Sequence, residues 1–346
     1  VGSEGTNRRR DVSSRPQHPL PMGVKMLKRI ELHNHSLESD GRMSVKELAA
    51  WLISNGISAF SLTDHNTVSG FPLLREYWEK NPVFEYLTGY ELTSWYGHIL
   101  CQNIREYIPW DDLDRENGDL FLDRVHAQGG LAGMAHPKSF PHPVSNGLNF
   151  EFTIHDWTKV DFIEIINNSH PAYPDNAEGI RYWEEALLQG SGAGIAPVSG
   201  MDLHAPVDMS RYYRTWMELD CQLETAPLSE QLTYAVKKNR TIVSNGPVLL
   251  CERDGDSLSL HIDLKTDERV RDLPADTPFL LSLRSPSASF CRRLQGRARL
   301  SLSSCGIRTE EPIVLKLYPE NALPVENALP VCIRASVLPG KSQSIR

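Results

Sequence analysis

His33 and His35 stand one residue apart in the stretch IELHNHSLESDG, residues 30–41, and Asp40 follows in the same stretch. Side chains at i and i+2 of an extended segment point the same way. Both imidazoles can therefore aim at one ion, and Asp40 can return over the same opening from the loop. The spacing recurs in GMDLH, which carries Asp202 and His204. Further donors are His65 in TDHN, Glu91 in GYELT, His98 in YGHIL and His136 in MAHP. Imidazole and carboxylate together suit zinc, manganese or iron, whereas all-oxygen sets suit magnesium or calcium.

A single histidine at a strand end is more often a satisfied polar residue than a ligand. Two such pairs, with further acids and histidines at other strand ends, are hard to explain without a shared ion. The contiguous string His33-Asn34-His35 is no evidence for the HNH nuclease motif, whose residues are dispersed along a ββα unit. His126, His18, His261, His142 and His155 fall outside any motif. Asp64 precedes His65 and serves either as a ligand or as the residue that orients one. Asn167 and His170 follow FIEII and are candidates for substrate contact. Trp95 and Tyr96 either line the mouth of the site or pack a loop.

The elements that would position these residues alternate. RIEL reads as a strand. SVKELAAWLISNG reads as a helix, with Ser44 as N-cap, Glu47 closing a capping box and Gly56 as the stop. SAFSLTDH, FEYLTGYEL, GHILCQNI, LAGMAHP, DFIEIINNS, GIAPVSGMDLH and RTWMEL read as strands. GFPLLREYWEK, DLFLDRVHAQGG, NAEGIRYWEEALLQG and LSEQLTYAVKKNR read as helices. Strand and helix alternate about seven times over roughly 220 residues, which predicts an α/β fold, either a parallel barrel or a doubly wound sheet. His33, His65, Glu91, His136 and Asp202 all fall at C-terminal strand ends, the rim where barrel enzymes place their chemistry. An open sheet would gather such residues near one switch point.

Residues 1–26 are rich in Pro, Ser and Arg and are expected to be a disordered extension. Residues 27–250 carry the barrel pattern. Residues 251–346 read as a small β-rich or irregular appendage, which includes the tandem hexapeptide ENALPVENALPV at 320–331. The chain of 346 residues has a net charge of −8 and no long basic run, which argues against a nucleic-acid or membrane-surface partner. No run approaches the ~18 apolar residues of a membrane-spanning helix. Arg8-Arg9-Arg10 has no apolar core behind it, so a secretory signal is not expected. Six cysteines without a CxxC pair read as reduced thiols in a cytoplasmic protein.

Taken in order, HxH, SDG, TDH with a following Asn, GxE, GH, AHP and GxDxH resemble the PHP (polymerase and histidinol phosphatase) family. The branch most similar is that of the CehA/McbA-type metallohydrolases, and AVKKNRTIVSNGP (235–247) is similar to that branch's closing element. The resemblance runs from about Lys28 to Pro247. It implies a distorted (βα)7 barrel with three adjoining divalent ions, manganese, zinc or iron, at its mouth. His33, His35, Glu91 and Asp202 would hold one ion, and Asp40, His65 and His204 a second. Glu91, His98 and His136 would hold the third, with Glu91 bridging. Some relatives have histidine where this chain has Asp40. Catalysis is expected to rest on Glu91, Asp202 and His204.

Three divalent ions against three carboxylates leave the mouth at about +3, an attractor for a phosphate dianion. The expected activity is hydrolysis of a small, nucleotide-like phosphate ester by a metal-bridging hydroxide. Hydrolysis of a carbamate, ester or amide stands second, since a neutral substrate gains less from that charge. A non-catalytic PHP module stands third. The expected partner is a small anionic molecule, with no nucleic acid and no membrane.

Overall fold

The Ser44 hydroxyl accepts the Glu47 N–H at 3.3 Å, and the Glu47 carboxylate accepts the Ser44 N–H at 2.8 Å. This capping box starts α1 (Val45–Ser54), which buries Val45, Leu48, Ala49 and Leu52 on one stripe. Gly56, at φ +75°, takes the chain out of the helix. The computed structural model in which these features are seen describes residues 25–140, 147–169, 174–189, 194–321 and 328–337.

The chain runs β1 (Lys25–Ile30), α1, β2 (Ala59–Leu62), α2 (Gly70–Lys80), β3 (Glu85–Ser94), β4 (Gly97–Gln102), α3 (Gly118–Ala127), β5 (Leu131–Met134) and β6 (Phe162–Asn167). It continues through α4 (Pro174–Gln189), β7 (Ala196–Gly200), β8 (Arg214–Asp220), α5 (Leu228–Lys237) and β9 (Thr241–Ser244). Then come β10 (Val248–Asp254), β11 (Ser257–Asp263), β12 (Pro278–Arg284), β13 (Ser289–Gln295), β14 (Arg297–Ser301), β15 (Ile313–Pro319) and β16 (Cys332–Ser336).

The fold is α/β. A six-stranded sheet runs in the order β2-β3-β4-β5-β6-β7. The stretch after β1 touches both ends of it: Glu31 bridges Phe60 and Asn34 bridges Leu203, both parallel. The His33–His35 segment thus lies between β2 and the exit of β7, and the sheet curls around it.

The regular strand–helix alternation of a (βα)7 barrel holds only in part. β2 and β3 pair in parallel, as do β5, β6 and β7, but β4 is antiparallel to both β3 and β5. The cause is local. In Ser94-Trp95-Tyr96-Gly97 the Ser94 hydroxyl donates to Gly97 O at 2.9 Å and accepts the Tyr96 N–H at 3.2 Å. Gly97, at φ +137°, completes a tight hairpin with no helix between its strands. The described residues contain five α-helices.

A second sheet of seven strands has the order β1-β8-β9-β16-β15-β12-β13. Lys25 and Met26, which the sequence reading places in the N-terminal extension, belong to β1 and pair with Asp220 and Leu219. β10, β11 and β14 form a third, antiparallel sheet. Apolar alternation in β11 and β12 points Leu258, Leu260, Ile262, Phe279, Leu281 and Leu283 inward, and they share one core with Trp216 and Ile242. Residues 1–24 and the centre of the hexapeptide repeat lie outside the described residues. No helix among the described residues is long and apolar enough to cross a membrane.

Candidate metal centre

Glu91 is fully buried near the end of β3, and both its oxygens face imidazoles. Oε2 lies 3.0 Å from His33 Nε2, 3.0 Å from His65 Nδ1 and 3.4 Å from His35 Nε2. Oε1 lies 2.9 Å from His98 Nδ1 and 3.1 Å from His136 Nε2. The hairpin supplies this arrangement, because it sets His98 opposite Thr93 and so diagonal to Glu91.

Asp202 Oδ1 completes the inner set, 3.1 Å from His35 Nε2 and 3.4 Å from His33 Nε2. At the open side, Asp40 Oδ1 lies 3.2 Å from His204 Nε2 and 3.5 Å from His65 Nε2. Donor atoms converge within 4.8 Å in three sets: His33, His35, Glu91 and Asp202; His35, Asp40, His65 and His204; and Glu91, His98 and His136. All nine residues named from the motifs are thus brought to one place, with His35 and Glu91 each shared by two sets.

Charge and strain accompany this convergence. Burial opposes ionisation of Glu91, but the imidazoles of His33 and His98 outweigh it and hold the carboxyl well below its ordinary range. Burial likewise opposes ionisation of Asp202, and His33 and His35 bring its carboxyl down in the same way. His136 is pushed up to about 9: burial works against its cation, and the hydrogen bond and charge of Glu91 overcome it. The buried carboxylate of Glu91 and the half-buried one of Asp202 therefore require positive charge beside them. His136 (φ +26°) and Asp202 (φ +49°) hold left-handed backbone at the two strand exits.

Whether the donors fit metal ions can be judged from their unused atoms. Nδ1 of His35 and Nδ1 of His136 are buried without a hydrogen-bond partner, and His35 Nε2, though 3.1 Å from Asp202 Oδ1, is not aligned for a hydrogen bond. Buried imidazole nitrogens left unpaired beside carboxylates are what a ligand set needs, and a purely structural polar cluster would pair them. The set fits.

Outer contacts hold the donors in place. Asp64 is no member of the three sets. Its carboxylate accepts the Ser36 N–H at 2.6 Å, the Ser36 hydroxyl at 2.8 Å and the Ser39 hydroxyl at 2.8 Å, fixing the loop that carries Asp40. Asn66, at φ +50°, donates to Thr93 O at 2.8 Å and ties the His65 turn to β3. Asn167 faces the centre through Asp202, and His170 lies outside the described residues. His126 bonds Asp161 at 2.8 Å, away from the site.

Sequence reasoning missed two buried glutamates. Glu164 Oε2 lies 2.8 Å from His33 Nδ1. Glu31 accepts the N–H groups of Leu32, His33 and Met201, and burial pushes its carboxyl up to about 7. The available signal was a lone acid inside an apolar run, in FIEII and in RIEL. A cavity of about 240 Å³ adjoins the centre, lined in part by His136, Asn167, Ser169, Asp175, Asp202 and His204.

No protein-family profile matches the chain. Among solved structures it is similar to a two-domain protein from Bacteroides vulgatus containing a predicted PHP-like metal-dependent phosphoesterase. That likeness has 15% identity and a TM-score of 0.53, and covers 93% of this chain and 99% of that one. An amidohydrolase from Chromobacterium violaceum aligns at 16% identity and a TM-score of 0.36, over 52% of this chain and 88% of its own. By sequence, 88 residues are 35% identical to a 5'-3' exoribonuclease of Haemophilus influenzae, which is 24% of this chain and 32% of the relative. The chain thus spans about a third of that curated relative's length. The first of these likenesses extends over nearly the whole of both chains, and the two share a fold.

Proposed function

We propose that the chain is a metal-dependent phosphoesterase acting on a small, nucleotide-like phosphate ester. The observation that carries the reading is Glu91, a buried carboxylate shared between two sets of imidazole donors, beside a third set that opens to solvent at Asp40 and His204. Support for a phosphate ester comes from the stretch similar to an exoribonuclease and from the PHP-like fold. The curl of the six-stranded sheet around Glu31–Asn34 supports reading it as a distorted (βα)7 barrel with the centre at its mouth.

His33, His35, Glu91 and Asp202 would hold one divalent ion; Asp40, His65 and His204, joined by His35, a second; and Glu91, His98 and His136 a third. Such ions, when bound, supply charge for the phosphoryl oxygens and acidify water. The residues do the rest. Glu91 spaces the two deeper sets, and burial keeps its oxygens from solvent. His204 and Asp40 sit where a substrate first arrives, since both are partly exposed while His33, His35 and His98 are buried. Ser169, Asp175 and Asn167 line the adjoining cavity, where polar groups of the leaving alcohol would be bound.

The test is metal analysis of the purified chain joined to a screen of nucleoside monophosphates, cyclic phosphodiesters, short oligonucleotides and carbamates. Release of inorganic phosphate, with millimolar phosphate competing, is the expected result. Turnover of carbamates alone, unaffected by phosphate, would overturn the reading. Faster cleavage of oligonucleotides than of mononucleotides would replace the small substrate with a polymer.

A further inference from the structure

β6 carries two polar side chains at its inner face, Glu164 and Asn167. At this separation a regular strand would send them to opposite faces. The pairing of β6 with β7 is not regular: Glu164 stands opposite Val198, Ile166 opposite Ser199, and the register shifts between them. An extra residue of this kind re-aims the side chains beyond it. Glu164 and Asn167 consequently reach the same set of donors, Glu164 through His33 Nδ1 at 2.8 Å and Asn167 through Asp202 Oδ2 at 3.0 Å.

We propose that the bulged strand β6 positions the His33, His35, Glu91 and Asp202 donor set, with Glu164 and Asn167 as its positioning residues. The proposal rests on the metal-centre part of the reading above and is independent of which ester is cleaved.

The orientation of each group is set by its partners. Asn167 Oδ1 accepts the Ser169 N–H at 2.9 Å and the Ser169 hydroxyl as well, so the Nδ2 end is the one that meets Asp202. Asn176 of α4 accepts the Asn167 N–H at 2.8 Å and donates to Asn167 O at 3.3 Å, pinning the strand end to the helix. With Oδ2 held, Asp202 presents Oδ1 alone to His33 and His35. The hold also fixes a residue in left-handed backbone, a conformation Asp tolerates better than most residues but still at a cost.

Glu164 acts on the other ligand. Its Oε2 accepts a hydrogen bond from His33 Nδ1, which turns Nε2 toward Glu91 and Asp202, where it would be the nitrogen offered to an ion. Space for this pair exists because residue 200 is glycine. A Cβ there would lie 2.4 Å from Glu164 Oε2 and 2.6 Å from His33 Cβ.

The experiment is a zinc and manganese titration of the full chain, comparing wild type with Glu164→Gln, Asn167→Ala and the near-isosteric Asn167→Asp. Circular dichroism of the metal-free proteins is recorded alongside. Each variant is expected to lose affinity for one ion by roughly 10–100-fold while keeping the others and the fold. Asn167→Asp, which turns a donor into a second carboxylate facing Asp202, carries the same test if the alanine variant does not fold. Variants that bind every ion as wild type does would overturn the positioning role. So would loss of all ions together with the native spectrum in every variant, since the residues would then be structural only. A wild type with no metal affinity overturns the metal centre and this proposal with it. A metal-loaded wild type that cleaves no phosphate ester affects only the proposed activity.

Discussion

Glu91 and His98 meet across a hairpin with no helix in it, Oε1 to Nδ1 at 2.9 Å, while the other oxygen of Glu91 faces His33 at 3.0 Å. One carboxylate thus serves two donor sets and His98 only one. Glu91→Gln keeps the size but loses the charge, and a neutral amide bridges two cations poorly. Bound metal should fall by more than one equivalent and turnover by about 10²–10³ or more. His98→Ala should cost a single equivalent. Metal analysis of the two variants side by side decides; full metal content in Glu91→Gln would dismiss the bridge.

Asp64→Ala should loosen the Asp40 loop without touching an imidazole. Its carboxylate is buried and receives three donors, from Ser36 and Ser39. Leaving them unpaired costs about 1–3 kcal/mol each where water cannot reach. The expected outcome is a lower melting temperature and weaker binding of the outermost ion. An unchanged melting curve would show that the loop is held by other contacts.

Arg334 of β16 and Glu218 of β8 form a buried ion pair at 2.9 Å between the second sheet's early and late strands. Arg334→Ala leaves the buried carboxylate only its longer contact to Arg240, at 3.3 Å, and should destabilise by up to about 3–5 kcal/mol. Replacing both, Arg334→Met with Glu218→Leu, should recover most of that loss. Urea denaturation of the single and double variants measures it, and an additive double variant would contradict the pairing.

Stability should also carry a small acid-sensitive component from Glu268. Its carboxylate accepts two hydrogen bonds from Arg214, at 2.9 and 2.6 Å, which bring its pKa down to about 2. A lowered folded-state pKa stabilises above the ordinary carboxylate range and is lost as pH falls toward the folded value. The Glu268 side chain is largely exposed, so screening limits the effect to about 1 kcal/mol or less. Glu268→Gln should be less stable than wild type at pH 7, and the gap should close between pH ~4.5 and ~2. A gap that widened on acidification would reverse the sign of the argument.

The donors were legible because their spacing is local. His33 and His35 share a face by strand alternation, and the Ser44–Glu47 cap marks the following helix at short range. Glu164 was hidden, since an acid inside FIEII has no period of its own and its partner His33 is far away in sequence. The bulge that re-aims Asn167 depends on how β6 meets β7, which one strand's sequence does not contain. The same holds for β16, whose place beside β9 is a long-range pairing.

That place has a consequence for the order of synthesis. β16 joins β9 to β15 within the seven-stranded sheet, yet residues 332–336 are translated after every other described strand. Until they emerge from the ribosome, β9 keeps an unpaired edge and the apolar faces of Ile242 and Leu315 lack the strand that separates them. The nascent chain therefore carries an open sheet edge at β9 while residues 245–331 are translated, the interval in which pairing with a neighbouring nascent chain competes with closure by its own last strand.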